Sequence, residues 1–183
     1  MSKPTSVHMG AVKRILRYLR GTPDIRITYS RNSSFELTGF CYASYGTGNP
    51  EKVRSTSGSI YPPAGGVIHF SASVQKISAL STTEAELVAM SSCAKQGIYL
   101  CGILGELGWR TFRSARIFCD NKSALLLAGQ GSYSSRSKHV AIRFADLRDW
   151  ITDDKIIIDH VSMKGQLSDI LTKFLARPLF TEM

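Results

Sequence analysis

Carboxylates are scarce in this chain, 14 acids against 23 lysines and arginines, so where each one falls matters. Three sit at positions suited to chemistry. Glu86 lies early in Ser81-Thr82-Thr83-Glu84-Ala85-Glu86-Leu87, and Asp120 directly follows Ile117-Phe118-Cys119. Asp169 sits in Gln166-Leu167-Ser168-Asp169-Ile170-Leu171-Thr172-Lys173. Oxygens converging from one strand end and two helix starts can bind a hard divalent cation such as Mg2+. Taken singly, each acid also has an ordinary explanation. Glu86 is a helix-start acid favoured by the dipole, and Asp120 is a helix cap.

The elements that must position these acids are legible from periodicity. Thr5 or Ser6 caps a helix running to about Leu19, with Ala11, Val12, Ile15, Leu16 and Leu19 on one apolar stripe. Gly21-Thr22-Pro23 ends it. Ile25, Ile27 and Tyr29 then alternate with polar residues, the period of a half-buried strand. Further strands are expected at Phe35–Tyr45, Thr56–Tyr61 and Val67–Ser71, with a turn over Gly46–Glu51. Thr82 or Thr83 caps a long helix to Leu107, closed by Gly108. A strand at Ala115–Cys119 leads into a short helix, Asn121–Ala128, and a glycine-rich loop, Gly129–Ser137. A helix from His139 to Ile151, a strand at Ile156–Val161 and a last helix at Gln166–Leu175 complete the order. The fold class is therefore α/β, a mixed sheet with helices against it.

A length of 183 residues suits one domain with a short extension. No unbroken run approaches the roughly 18 apolar residues of a membrane helix, so no membrane partner is expected. The opening residues alternate charge with apolar groups, unlike a signal peptide. These features imply an intracellular location, in cytoplasm or nucleus. The net charge of +9 favours polyanionic partners, although it also serves solubility alone. Cys41, Cys93, Cys101 and Cys119 lack metal or disulfide spacing and read as buried thiols.

Several segments in fixed order carry a resemblance. They are Gly39-Phe40-Cys41-Tyr42-Ala43-Ser44-Tyr45, Arg54-Ser55-Thr56-Ser57-Gly58, Ala79 through Glu86, Cys119-Asp120-Asn121-Lys122-Ser123-Ala124, Arg136-Ser137-Lys138-His139 and Gln166 through Lys173. Together they resemble the ribonuclease H region at the end of copia-type retrotransposon polyproteins. The opening, from Pro4-Thr5 to Gly21-Thr22, resembles the end of the preceding reverse-transcriptase part. The resemblance implies a ribonuclease H-like fold with a mixed five-stranded sheet flanked by helices and preceded by an N-terminal helix. Residues 1–34 would be a polymerase remnant, a helix plus a strand, and 35–183 the ribonuclease H-like domain.

The family uses four carboxylates to hold two Mg2+ ions and cleave RNA in an RNA–DNA hybrid. By resemblance, Glu86, Asp120 and Asp169 supply three of them as catalytic and metal residues. The fourth is missing. Tyr42 stands where the family has its first-strand aspartate, and Ser44 where it has a second acid. No carboxylate between Glu36 and Glu51 can substitute. A phenol of pKa near 10 brings bulk without charge at pH 7. The expected loss of activity is on the order of a thousandfold or more, leaving at most one weakly bound Mg2+. Ala141, Ala145-Asp146 and Tyr99-Leu100-Cys101-Gly102 also depart from the family pattern. The chain is thus expected not to be a competent nuclease.

Contacts to a phosphate backbone need only cations and amides, so RNA–DNA hybrid or another nucleic acid remains the expected partner. Lys122, Arg136, Lys138 and His139 are the candidates, with solvated surface charge as the alternative. A competing pattern lies in Arg17-Tyr18-Leu19-Arg20, which matches the RxLR translocation motif of secreted oomycete effectors. Under that alternative the chain, a free-standing remnant beginning inside a truncated polymerase segment, would be secreted, enter host cytoplasm or nucleus, and engage a plant protein. Four residues recur easily in a basic chain, and copia sequences carry a similar Arg-Tyr-Leu there.

Overall fold

A computed structural model describes residues 3–30, 36–46, 54–109, 112–130 and 138–173. Five strands form one sheet: β1 (Thr38–Ser44), β2 (Thr56–Tyr61), β3 (His69–Val74), β4 (Ala115–Cys119) and β5 (Ile156–His160), in the order β3-β2-β1-β4-β5. Pairings β1–β2 and β2–β3 are antiparallel, whereas β1–β4 and β4–β5 are parallel. The mixed sheet matches expectation. Around it lie α1 (Ser6–Gly21), α2 (Thr82–Glu106), α3 (Lys122–Gln130) and α4 (Lys138–Thr152).

The core forms where α2 crosses the sheet. Leu87, Met90, Cys93 and Ala94 of α2 pack with Cys41, Tyr61, Ile117 and Cys119 from the strands and Phe144 and Leu147 from α4. Glycines permit the close approach of α2. Tyr61 fills the space beside Gly39 and Gly97, where a β-carbon would strike its ring or hydroxyl. Its hydroxyl donates to the Cys93 carbonyl at 2.8 Å, so the buried phenol is satisfied. Cys41, Cys93 and Cys119 are buried free thiols and Cys101 is half-buried, as their spacing suggested.

Several details differ from the sequence reading. The cap of α2 is Ser81, one residue earlier than expected. Its hydroxyl accepts from the Glu84 amide at 3.1 Å, while the Glu84 carboxylate accepts from the Leu80 amide at 2.7 Å. With a mean hydropathy of 1.3, α2 is also long and apolar enough to cross a membrane by length and composition. Its Ala, Cys, Val, Leu and Ile residues raise that mean without forming one unbroken apolar run. Its apolar residues from Ala85 to Ala94 are buried in the core, whereas Tyr99 near its end is exposed.

Residues 25–29 are extended but pair with no described strand, and Ile25, Ile27 and Tyr29 are exposed. The stretch is anchored where the Tyr29 hydroxyl donates to the Val67 carbonyl at 2.7 Å and the Tyr29 and Ile27 side chains pack over Gly66. The stripe on α1 is exposed as well; no residue of α1 is buried. The last helix is replaced by two short 3-10 turns, Met163–Gly165 and Leu167–Leu171. Gln166 explains the change, because its side-chain oxygen accepts from the Ser168 hydroxyl at 2.8 Å and competes with regular helix hydrogen bonding. The continuation expected to Leu175, much of the turn after Gly46, and the loop carrying Arg136 lie outside the described residues.

Candidate metal and nucleic-acid site

Where β1 parts from β4, the sheet opens a slot. Their parallel register ends at Phe40 opposite Phe118, leaving the next polar groups on that edge without strand partners. Side chains take them instead. The Glu86 Oε1 accepts from the Ala43 amide at 3.0 Å, and the Gln166 side-chain amide donates to the Cys41 carbonyl at 2.9 Å. Glu86, one and a half turns into α2, thus reaches the sheet from one direction. The 3-10 segment reaches it from the other.

Gly58 lets that segment come close. It is paired directly with Tyr42, and a β-carbon there would lie 2.8 Å from the Thr172 methyl and 3.0 Å from the Ser168 carbonyl. The segment therefore settles over Gly58 and delivers Asp169 and Lys173 beside Tyr42. The Lys173 Nζ sits 3.0 Å from Asp169 Oδ2 and 4.0 Å from the centre of the Tyr42 ring. Burial works against this ammonium, but Tyr42 and Asp169 overcome it and raise its pKa. The other Asp169 oxygen, Oδ1, is buried without a hydrogen-bond partner among the described residues.

Glu86, Asp120 and Cys119 form the second half of the site. One ligand atom from each lies within 4.8 Å of the others. The Cys119 thiol donates to Glu86 Oε2 at 3.8 Å. Only 3% of Glu86 is exposed, and burial, reinforced by Cys119 and Asp120, pushes its pKa up to about 9. Burial likewise raises Asp120, with Asp169 adding to the effect. The Cys119 thiol is held below its ordinary value, chiefly by its hydrogen bond with Cys41.

A cleft of about 470 Å³ opens over this half, lined by Tyr42, Tyr45, Thr82, Glu86, Asp120 and Lys122 among others. The structure therefore brings Glu86, Asp120 and Tyr42 around one cleft, with Lys122 at its edge, and Asp169 beside Tyr42. Lys138 and His139 are exposed at the start of α4 and do not line the cleft. Arg17, Tyr18, Leu19 and Arg20 are all exposed on α1. Sequence reasoning missed Cys119 and Lys173 as members of the site. Adjacency to Asp120 was the available signal for Cys119; Lys173 offered only its place four residues after Asp169.

No protein-family model matches the chain. A retrovirus-related Pol polyprotein from transposon RE1 of Arabidopsis thaliana is 36% identical over 98% of the chain. A second, from transposon TNT 1-94 of Nicotiana tabacum, is 33% identical over 98%. The chain belongs to the copia-type retrotransposon Pol family. It is the ribonuclease H-like domain of that family, spanning 12% and 13% of those two polyproteins. The fold of this copia-type domain is shared with solved ribonucleases H. Ribonuclease H1 from Halobacterium salinarum aligns over 81% of this chain and 99% of its own, with TM-score 0.51 and 13% identity. The foamy viral protease–reverse transcriptase in complex with RNA/DNA hybrid aligns over 98% of this chain and 27% of its own, with TM-score 0.54 and 13% identity. The copia-type domain also matches a secreted RxLR effector protein of Plasmopara viticola, 34% identical over 54% of the chain and 69% of that protein.

Proposed function

We propose that this domain has lost paired-metal hydrolysis and keeps a nucleic-acid-binding role, with RNA–DNA hybrid as its ligand. The observation that carries the reading is the phenol of Tyr42 at the mouth of the acidic cleft. A two-metal site clamps both ions about 4 Å apart with shared anionic oxygens. In this reading the Tyr42 side chain stands in for a shared carboxylate, and the Lys173 ammonium already engages Asp169. This donor set does not fit two Mg2+ ions, so no hydrolytic step is assigned to Glu86, Asp120 and Asp169.

Binding asks less of the site than cleavage. Lys122 at the cleft edge and exposed Lys138 and His139, together with Arg136, are proposed to contact phosphates. The net charge of +9 supports such contacts. Residues 1–34 are proposed to be the polymerase-derived piece and 35–183 the binding domain, acting inside the cell that carries the element.

The test is a labelled RNA–DNA hybrid with purified protein and Mg2+ or Mn2+. The wild type should bind and leave the RNA intact, and Tyr42→Asp should gain measurable cleavage. Affinity should fall with salt at a log–log slope of about −0.9 per phosphate contacted. Strong wild-type cleavage sinks the first half of the reading, and a flat salt response the second.

The match to the Plasmopara viticola effector favours a second reading. In it, exposed Arg17-Tyr18-Leu19-Arg20 serves delivery into a plant cell, where the domain meets a host protein. Finding the chain in secretions of its source organism would support it, whereas retention inside the source cell counts against it.

A further inference from the structure

We propose that the outer edge of β3 pairs with the same edge of a second copy of this chain, joining the two sheets across a two-fold axis at Ala72. The inference is independent of how the acidic cleft is read.

The backbone of this edge is set out for pairing. β3 (His69–Val74) is outermost in the order β3-β2-β1-β4-β5, and its far side meets no described strand. The Gln75 amide donates to the Ser55 carbonyl at 2.8 Å, so the ladder with β2 takes up the backbone groups of Ser73 and Ser71 as well. Antiparallel alternation then turns the amides and carbonyls of Phe70, Ala72 and Val74 outward. Native edges are ordinarily blunted by lysine, proline or a covering element. From Val67 to Gln75 there is no lysine, arginine, acid or proline, and Phe70, Ala72, Ser73 and Val74 are all exposed. The opposite edge is defended by charge: Asp159 of β5 pairs with Arg116, and Lys155 beside it pairs with Asp153.

Side chains select the occupant. Ser71 aligns through Ser59 with Cys41, which packs on α2, so Phe70, Ala72 and Val74 stand on the other face of the sheet. A two-fold axis at Ala72 sets that residue against its mate and Phe70 of each copy against Val74 of the other. Aromatic against β-branched is a favourable cross-strand pair. The same register brings every outward amide to an outward carbonyl, because Phe70, Ala72 and Val74 pair only among themselves. Ile27 and Tyr29 lie against Gly66, just ahead of Ile68. With Ile68, Phe70 and Val74 they expose roughly 600 Å², against about 800 Å² per partner in a standard interface, which suits a reversible dimer. Nucleic acid or an acidic peptide would find no lysine or arginine along this strand. Two copies at +9 repel at long range, so salt should tighten the dimer.

Sedimentation equilibrium of the reduced, nuclease-treated chain should show monomer and dimer exchanging with concentration, the dimer strengthening as salt rises. Ala72→Lys sets two ammonium groups side by side and should weaken the dimer at least about tenfold at low salt. Leu126→Lys, at an exposed position on α3, should leave it unchanged. Cross-linking in a Cys101→Ser background tests the register. The axis holds the two Ala72 Cα atoms about 5.5 Å apart, within disulfide range, so Ala72→Cys should cross-link under mild oxidation. Phe70→Cys should not, because its two copies stand about 14 Å apart along the strands. If Ala72→Lys loses its native circular dichroism, the two cysteine variants carry the test. A chain that stays monomeric, a dimer unchanged in Ala72→Lys, equal cross-linking at both positions, or an assembly that salt or nuclease dissolves overturns the proposal. Hybrid binding is a separate readout, since Tyr42 on β1 lies two strands in from this edge.

Discussion

At the scale of single residues, Glu86 carries the largest electrostatic consequence. It sits under the sheet with the Ala43 amide and the Cys119 thiol as partners, and burial raises its pKa to about 9. In the unfolded chain it titrates near the ordinary glutamate value, so between the two values the folded state holds a proton that the unfolded state lacks. Folding stability contributed by this group is therefore fully present below the unfolded pKa and is lost as pH rises toward 9. Urea denaturation with a chelator present should show stability declining across that window, at up to about 1.4 kcal/mol per pH unit from this one group. Glu86→Gln should flatten the decline. An identical slope in the variant would mean that the proton resides elsewhere. Tyr42 contributes a ring rather than a carboxylate, and that ring accepts the Lys173 ammonium at 4.0 Å.

Among the elements, α2 couples fold to site. Its cap at Ser81 and its close approach at Gly97 set where Glu86 lands. Two of its three glycines, Gly97 and Gly102, make opposed predictions. A β-carbon at Gly97 would meet Cβ of Ala115 at 2.7 Å and the Tyr61 hydroxyl as well, whereas nothing lies within 4 Å of one at Gly102. Gly97→Ala should destabilise by about 1–3 kcal/mol through overpacking. Gly102→Ala should stabilise by up to about 1 kcal/mol, because alanine is the better helix former. Chemical denaturation of both variants separates the effects; equal shifts would show that the Tyr61 contact yields freely. The 3-10 segment has a complementary role, with Gln166 tying it to the Cys41 carbonyl.

Across the whole molecule, α1 stands apart from the core. Val7, Ile15, Leu16 and Leu19 are each more than half exposed, and no residue of α1 is buried. Removing residues 1–22 should therefore change folding stability by no more than about 0.5 kcal/mol, as expected of surface positions. A larger loss in urea denaturation would mean that α1 shields the core in solution. The cut preserves Tyr29, whose bond to Val67 anchors the extended stretch after α1.

Local chemistry was enough to place most elements. The sequence pattern marked β2 and β4 to the residue and α2 to within one; β4 keeps the alternation of a single buried face, whereas β2 from Gly58 to Tyr61 and α2 from Glu84 to Ser91 are buried without a break. Tertiary structure alone decided which side chains meet. Ala43 with Glu86, and Tyr42 with Lys173, are joined across 43 and 131 positions of chain (86 − 43 and 173 − 42), a separation that no local period encodes. The same holds for the failed predictions. The stretch at residues 25–29 has a strand's alternation but pairs with no described strand, and the last helix gave way to two 3-10 turns because the Gln166 side chain bonds both the Ser168 hydroxyl and the Cys41 carbonyl on β1. Alternation and helical spacing state what a segment can bury; the parting of β1 from β4 beyond Phe40 and Phe118 determined where Glu86 and Gln166 found partners.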